Sequence, residues 1–223
     1  MDFMTSISGF FQTGGPFMVP IALVLTLGLV IALERWLYLS KAKIDNRRAF
    51  KKIQPLLAEN RYQDIYDYVK GSSAHAGRLV HAGMTAVSIS RSREDILASM
   101  QEASMECVPR LEKRTAYLAT LANVATLLGL LGTIIGLIAA FTAVADADPA
   151  TKATLLSQSI SVAMNTTAFG LISAIPLLLI HSVLQSKTAQ VIDGLDIVCV
   201  KFINAVTAKP KAGSDAQAHR PAA

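Results

Sequence analysis

Two charge-free stretches of this 223-residue chain carry polar groups that a lipid-facing helix does not need. The first is Gly129-Leu130-Leu131-Gly132-Thr133-Ile134-Ile135-Gly136, and the second is Asn165-Thr166-Thr167-Ala168-Phe169-Gly170-Leu171-Ile172-Ser173-Ala174-Ile175-Pro176. A threonine hydroxyl on a helix can bond a carbonyl one turn back, so it sits in hydrocarbon at little cost. It still offers an oxygen to an ion, a water or a carboxyl group brought by another chain. Thr133, Thr166, Thr167 and Asn165 are therefore candidates to line an ion path. Gly129, Gly132 and Gly136, with Ala163, Gly170 and Ala174, recur at three- and four-residue spacing, which lets helices approach closely in lipid. Periodicity alone leaves both readings open, packing and an ion path.

No nucleophile–base pair, phosphate-binding loop or metal-ligand spacing accompanies these groups, so the expectation is no enzyme, no metal and no cofactor beyond a translocated ion. His75 and His81 share no helical face with carboxylates. Cys107 and Cys199 lie far apart without CxxC spacing and read as reduced packing residues.

The elements that position the hydroxyls follow from the charge pattern. Hydrophobic residues make up 52% of the chain and charged ones only 17%, below the usual quarter. No charge falls between Phe3 and Leu33 or between Thr115 and Ala145, and His181 is the one titratable group from Ala153 to Ser186. Each run exceeds the roughly 20 residues that cross a bilayer core as a helix. The fold class is an all-α membrane protein with three transmembrane helices.

The segment Lys41–Arg114 holds 14 Lys/Arg against 9 Asp/Glu, which makes it cytoplasmic by the positive-inside rule, together with the C-terminal tail. The net charge of +5 is then a signature of topology and not of nucleic-acid binding. The expected divisions are an amphipathic outer segment at 1–15, spans at 16–39, 115–145 and 158–186, an outer loop at 146–157, a cytoplasmic helical region at 40–114, a helical extension at 187–208 and a disordered tail at 209–223. Separate helices are expected around Ala49–Leu57, Ile65–Val69 and Leu79–Val87. A further helix from Arg93 is expected to continue past Pro109 into the second span. Glu34 and Arg35 mark the inner edge of the first span, beside Trp36 and Tyr38 at the depth of an aromatic belt.

The two hydroxyl-bearing motifs, with Gly15-Pro16-Phe17-Met18-Val19-Pro20 and the later Glu34-Arg35, resemble the MotA/TolQ/ExbB proton channel family. Size and the three-span layout are similar to its ExbB/TolQ branch. The resemblance implies a homopentameric ring in the bacterial inner membrane, with a periplasmic N-terminus, a cytoplasmic C-terminus and long cytoplasmic helical extensions. It also implies a dimeric ExbD/TolR/MotB-like partner whose single membrane helix supplies a titrating Asp. Proton or sodium motive force would then drive work on a TonB-like, TolA-like or gliding-machinery client. Thr133 and Thr167 match the family's pore-lining threonines. Val162 stands where ExbB and TolQ proteins commonly carry a Glu. The alternative from another class is a non-conducting membrane scaffold that uses the small-residue faces for assembly alone.

Overall fold

The computed structural model describes residues 14–90, 92–145 and 147–207, which are helical apart from short turns. The outer segment expected at 1–15 (Gly14 and Gly15 apart) and the tail at 209–223 lie outside the described residues. The described residues form six helices in order: α1 Met18–Ala58, α2 Tyr62–Lys70, α3 His75–Ile89, α4 Arg93–Glu112, α5 Thr115–Ala145 and α6 Lys152–Thr207. Among the described residues, three stretches, within α1, α4–α5 and α6, are long and apolar enough to cross a membrane. Only 22–33% of their most apolar windows is buried within the chain. In water such exposed Leu and Ile surface would associate; in a bilayer, lipid or other protein chains cover it.

Two of the expected helix boundaries are corrected. The amphipathic helix expected around Ala49–Leu57 is not separate: α1 runs unbroken for 41 residues, from Met18 to Ala58. Nothing between Ser40 and Arg48 breaks a helix, so backbone propensity continues where hydropathy changes. The chain then turns at Asn60, which takes a left-handed φ of 56° that Asn tolerates. The second correction concerns the approach to the second span. The helix passes Pro109 as expected, but α4 ends at Glu112, and α5 starts at Thr115 after Arg114 adopts a φ of 65°. A left-handed residue just past a helix end is a common helix stop.

The chain forms two compact units. The apolar unit comprises residues 14–40 and 111–189. The first span packs on the third through Gly28, where an added Cβ would lie 2.6 Å from Leu177 Cδ2. Polar groups gather toward one end. Arg35, 3% exposed, donates through Nη2 to the carbonyl of Leu111 and lies 4.8 Å from the centre of the Tyr38 ring. Leu111 belongs to the last turn of α4, whose carbonyls lack intrahelical partners, so the guanidinium satisfies an acceptor that the helix leaves open. Arg114 Nη1 pairs with Glu34 Oε2 at 2.8 Å. Glu34 and Arg35 thus do not pair with each other; both grip the junction before the second span. Lys187 donates to Ser40 Oγ at 3.0 Å and sits 3.3 Å from the centre of the Trp36 ring.

The second unit comprises residues 41–110 and 190–207 of the described chain. Its core combines Ile53 and Leu57 of α1, Ile65 and Val69 of α2, Leu79 and Val80 of α3, Met100 of α4 and Phe202 of α6, all nearly or fully buried. Gly83 lets these helices close up, since a Cβ there would meet Phe202 at 2.6 Å and Met100 Sδ at 2.9 Å. Asn46 Oδ1 accepts the backbone N–H of Ala76 at 3.1 Å, satisfying one of the donors that the start of α3 leaves free. Both cysteines are buried free thiols, and burial pushes Cys199 up to about 11. They are inert packing groups at neutral pH.

Burial pushes the His75 imidazole below its ordinary value, and Arg78 and Arg110 reinforce the effect. The folded state therefore favours neutral His75, while the unfolded chain binds the proton near pH 6.5. Stability is expected to be level above about pH 7 and to fall as the pH drops below about 6.5. His75→Gln should flatten that fall in thermal melts followed by circular dichroism from pH 8 to pH 5. An unchanged slope would remove His75 as its source.

Candidate ion path

The hydroxyl-bearing stretches lie on α5 and α6, which run antiparallel and meet along the glycines. An added Cβ at Gly129 would stand 3.3 Å from the Cα atoms of both Thr167 and Gly170. At Gly132 it would meet Thr166 Cγ2 at 2.4 Å, and at Gly136 it would meet Ala163 Cβ at 2.9 Å. From the other side, a Cβ at Gly170 would lie 2.8 Å from the carbonyl oxygen of Ala125 and 3.0 Å from Gly129 Cα. Gly129, Gly132, Gly136, Ala163 and Gly170 therefore form one seam, in which backbone meets backbone at Gly129 and Gly170 and small side-chain groups of α6 fill the space at Gly132 and Gly136. Ala174 is also buried, 2% exposed.

That contact positions the hydroxyls. Thr167 Oγ1 donates across the seam to the carbonyl of Gly129 at 2.9 Å. The bond is possible because Gly129 leaves its own carbonyl uncovered. Thr133, one turn after Gly129 on the same face of α5, donates to the carbonyl of Leu130 at 2.6 Å. The two hydroxyls thus lie within about one helical turn, roughly 6 Å, of the same level. Both residues are partly exposed on the single chain.

The other two sequence candidates belong elsewhere. Thr166 is 2% exposed and donates to the carbonyls of Gly14, at 2.7 Å, and Val162, at 3.0 Å. It is a buried fastener that ties the start of the first span to the third, not a lining group. Asn165 is half-buried and two residues from Thr167, a spacing that puts side chains on different faces of a helix. Sequence periodicity missed the Gly14 carbonyl as the partner of Thr166. The available signal was the Gly14-Gly15-Pro16 break, which forces the chain to turn there; Gly15 has a φ of 73°.

Beside this fastener lies an apolar cleft of about 250 Å³, lined by Gly15, Phe17, Ile135, Ala139, Ser159 and Val162 among others. A Cβ on Gly15 would come within 3.1 Å of Val162 Cγ1, so Val162 packs under the chain's entry to the first span. Ser173, fully buried, has a hydroxyl without a hydrogen-bond partner among the described residues. No group of His, Cys, Asp or Glu among the described residues could hold a metal ion.

Residues 72–196 match the model of the MotA/TolQ/ExbB proton channel family. Similar proteins include an ExbB homolog of Methanothermobacter thermautotrophicus, 26% identical over 204 residues, covering 89% of this chain and 70% of that protein. The biopolymer transport protein ExbB of Salmonella typhimurium is 27% identical over 175 residues, 70% of each chain. The Tol-Pal system protein TolQ of Haemophilus influenzae is 34% identical over 91 residues, 41% of this chain and 40% of that one.

The seam sets a graded prediction. Gly170→Ala drives a methyl into backbone at 2.8 Å, whereas Gly129→Ala meets backbone at 3.3 Å. Gly170→Ala should destabilise the detergent-solubilised protein by the 1–3 kcal/mol typical of overpacking, or about that. Gly129→Ala should cost less. Equal melting temperatures for the two variants would show that the seam yields freely.

Proposed function

The chain belongs to the MotA/TolQ/ExbB proton channel family, and from that premise we propose that it is the channel subunit of an ion-driven motor in the bacterial inner membrane. Five copies form a ring around the membrane helices of a dimeric ExbD/TolR/MotB-like partner. The N-terminus and the loop at 146–157 face the periplasm, and residues 40–114 and 187–208 face the cytoplasm. Proton motive force, or sodium motive force, drives relative movement of ring and partner. The partner passes work to a TonB-like, TolA-like or gliding-type envelope client.

The observation that carries this reading is the Thr167–Gly129 bond beside Thr133, in spans whose sequence holds no Asp, Glu, Lys or Arg. A titrating path through a membrane needs an ionisable relay. Around Thr133 and Thr167 the second and third spans supply oxygen atoms without one, the nearest titratable group of the third span being His181, 14 residues on from Thr167, so the carboxyl must arrive on another helix. The partner's Asp is neutralised on entering the dry ring and releases its proton at a water-filled exit. Each charge moved gains about 2.3 kcal/mol per 100 mV of membrane potential. No covalent step is involved.

Val162, apolar where the resemblance leads one to expect Glu, supports a division of labour in which the ring contributes no carboxylate of its own at that level. It is also the observation that favours the scaffold reading, in which the seam serves assembly alone. Thr167→Val separates the two. It should abolish energised work on the client, or lower it at least tenfold, while ring and partner still co-purify at normal expression. Full client activity in that variant would support the scaffold and overturn the channel.

A further inference from the structure

We propose that the second unit binds a phosphate group, borne by a larger molecule, in the cavity between the middle of α1 and the turn that joins α2 to α3. The cavity measures about 550 Å³, within the range of small-molecule sites, and every residue that lines it belongs to that unit. It shares no residue with the ion path and does not depend on it.

The wall contributed by α1 is a single stripe. Asp45, Arg48, Ala49 and Lys52 follow one another at three- and four-residue spacing, with Lys51 beside them, and all five line the cavity. Ala49, buried, puts only a methyl between the charged chains. Like charges at this spacing destabilise a helix. Yet among the described residues neither Arg48, Lys51 and Lys52 nor Asp45 takes part in an ion pair. Lys52 instead stands 5.3 Å from the centre of the Tyr68 ring, which belongs to α2 and lines the same cavity. Three cations against one carboxylate leave an excess of two positive charges at one opening. A phosphate monoester, with a charge of about −2 at neutral pH, matches that excess.

The facing wall adds a hydrogen-bond donor. Ser72 Oγ accepts the backbone N–H of Ala74 at 3.3 Å, which uses a lone pair and leaves the hydroxyl proton for a guest. Gly77 permits this placement, since an added Cβ there would collide with the Ser72 side chain. A phosphate oxygen only accepts, and what the cavity offers it is donors. The Arg48 guanidinium can grip two oxygens at once, and the two lysines act as point charges. Asp45 is the one anion on the wall and works against the guest. A bound phosphate therefore bridges α1 to the α2–α3 turn and replaces repulsion along the stripe with attraction.

Isothermal titration calorimetry on the full chain in uncharged detergent micelles tests the site with two probes. Inorganic pyrophosphate stands for a soluble source of phosphate, and dihexanoyl phosphatidate for a lipid one. Saturable binding of one molecule per chain is expected, and the tighter probe identifies the source. Arg48→Gln and Lys51→Gln should each weaken that binding about tenfold, the scale of one charge-assisted hydrogen bond. Asp45→Asn should strengthen it, an effect that damage to the fold would not produce. Arg47→Gln removes the same charge from a position of α1 that does not line the cavity. It should change the affinity by less than about twofold, because its charge acts only through screening solvent. Absence of saturable binding with both probes overturns the site, as does an Arg47→Gln loss equal to that of Arg48→Gln, or an Asp45→Asn chain that binds no tighter. The channel reading stands in each of these cases.

Discussion

The close approach of α5 and α6 at Gly129 and Gly170 is the constraint on which the candidate site depends. In hydrocarbon, helices gain nothing from hydrophobic association and must find contact through fitted surfaces and hydrogen bonds. A side chain at Gly170 would occupy the space of the Ala125 carbonyl. With both positions bare, the Thr167 hydroxyl reaches a main-chain oxygen on the neighbouring helix. Packing and polarity are therefore one feature, and the two readings left open by periodicity do not compete at these residues.

The same economy governs the Glu34–Arg35 end of the first span. Arg35 is buried, yet it is not placed there to meet Glu34. It covers a carbonyl at the end of α4, made available by the stop at Lys113 and Arg114, and Glu34 takes the Arg114 side chain. A charged pair at a membrane boundary invites a catalytic or relay reading; here its geometry is that of a clasp on a helix end. Two adjacent charges of opposite sign bind two different features of one junction.

Much of this was legible beforehand. Charge-free runs located the three spans, because excluding charge from hydrocarbon is the strongest filter on such sequences. The small-residue spacing picked out Gly129, Gly132, Gly136, Ala163 and Gly170, which the structure gathers in one seam. What hydropathy could not reveal was continuity. It changes sign near Ser40, but the α1 backbone does not. Nor could periodicity separate Thr166 from Thr167. The two are adjacent and identical in type, yet one is buried against a carbonyl 152 residues away and the other bonds across the seam to Gly129. Local pattern specifies that a threonine will find an acceptor, while tertiary structure chooses which.

The Thr166 fastener also orders the making of the molecule. Gly14 is among the first described residues to leave the ribosome, and its partner hydroxyl emerges 152 residues later. At typical synthesis rates of 5–20 residues per second, that interval is roughly 8–30 s. Throughout it the first helix has no third helix to seat against, and the Gly14 carbonyl must be satisfied by water or lipid headgroups. Insertion of the first span and its final seating are thus separate events, with the third span completing the fit of the first.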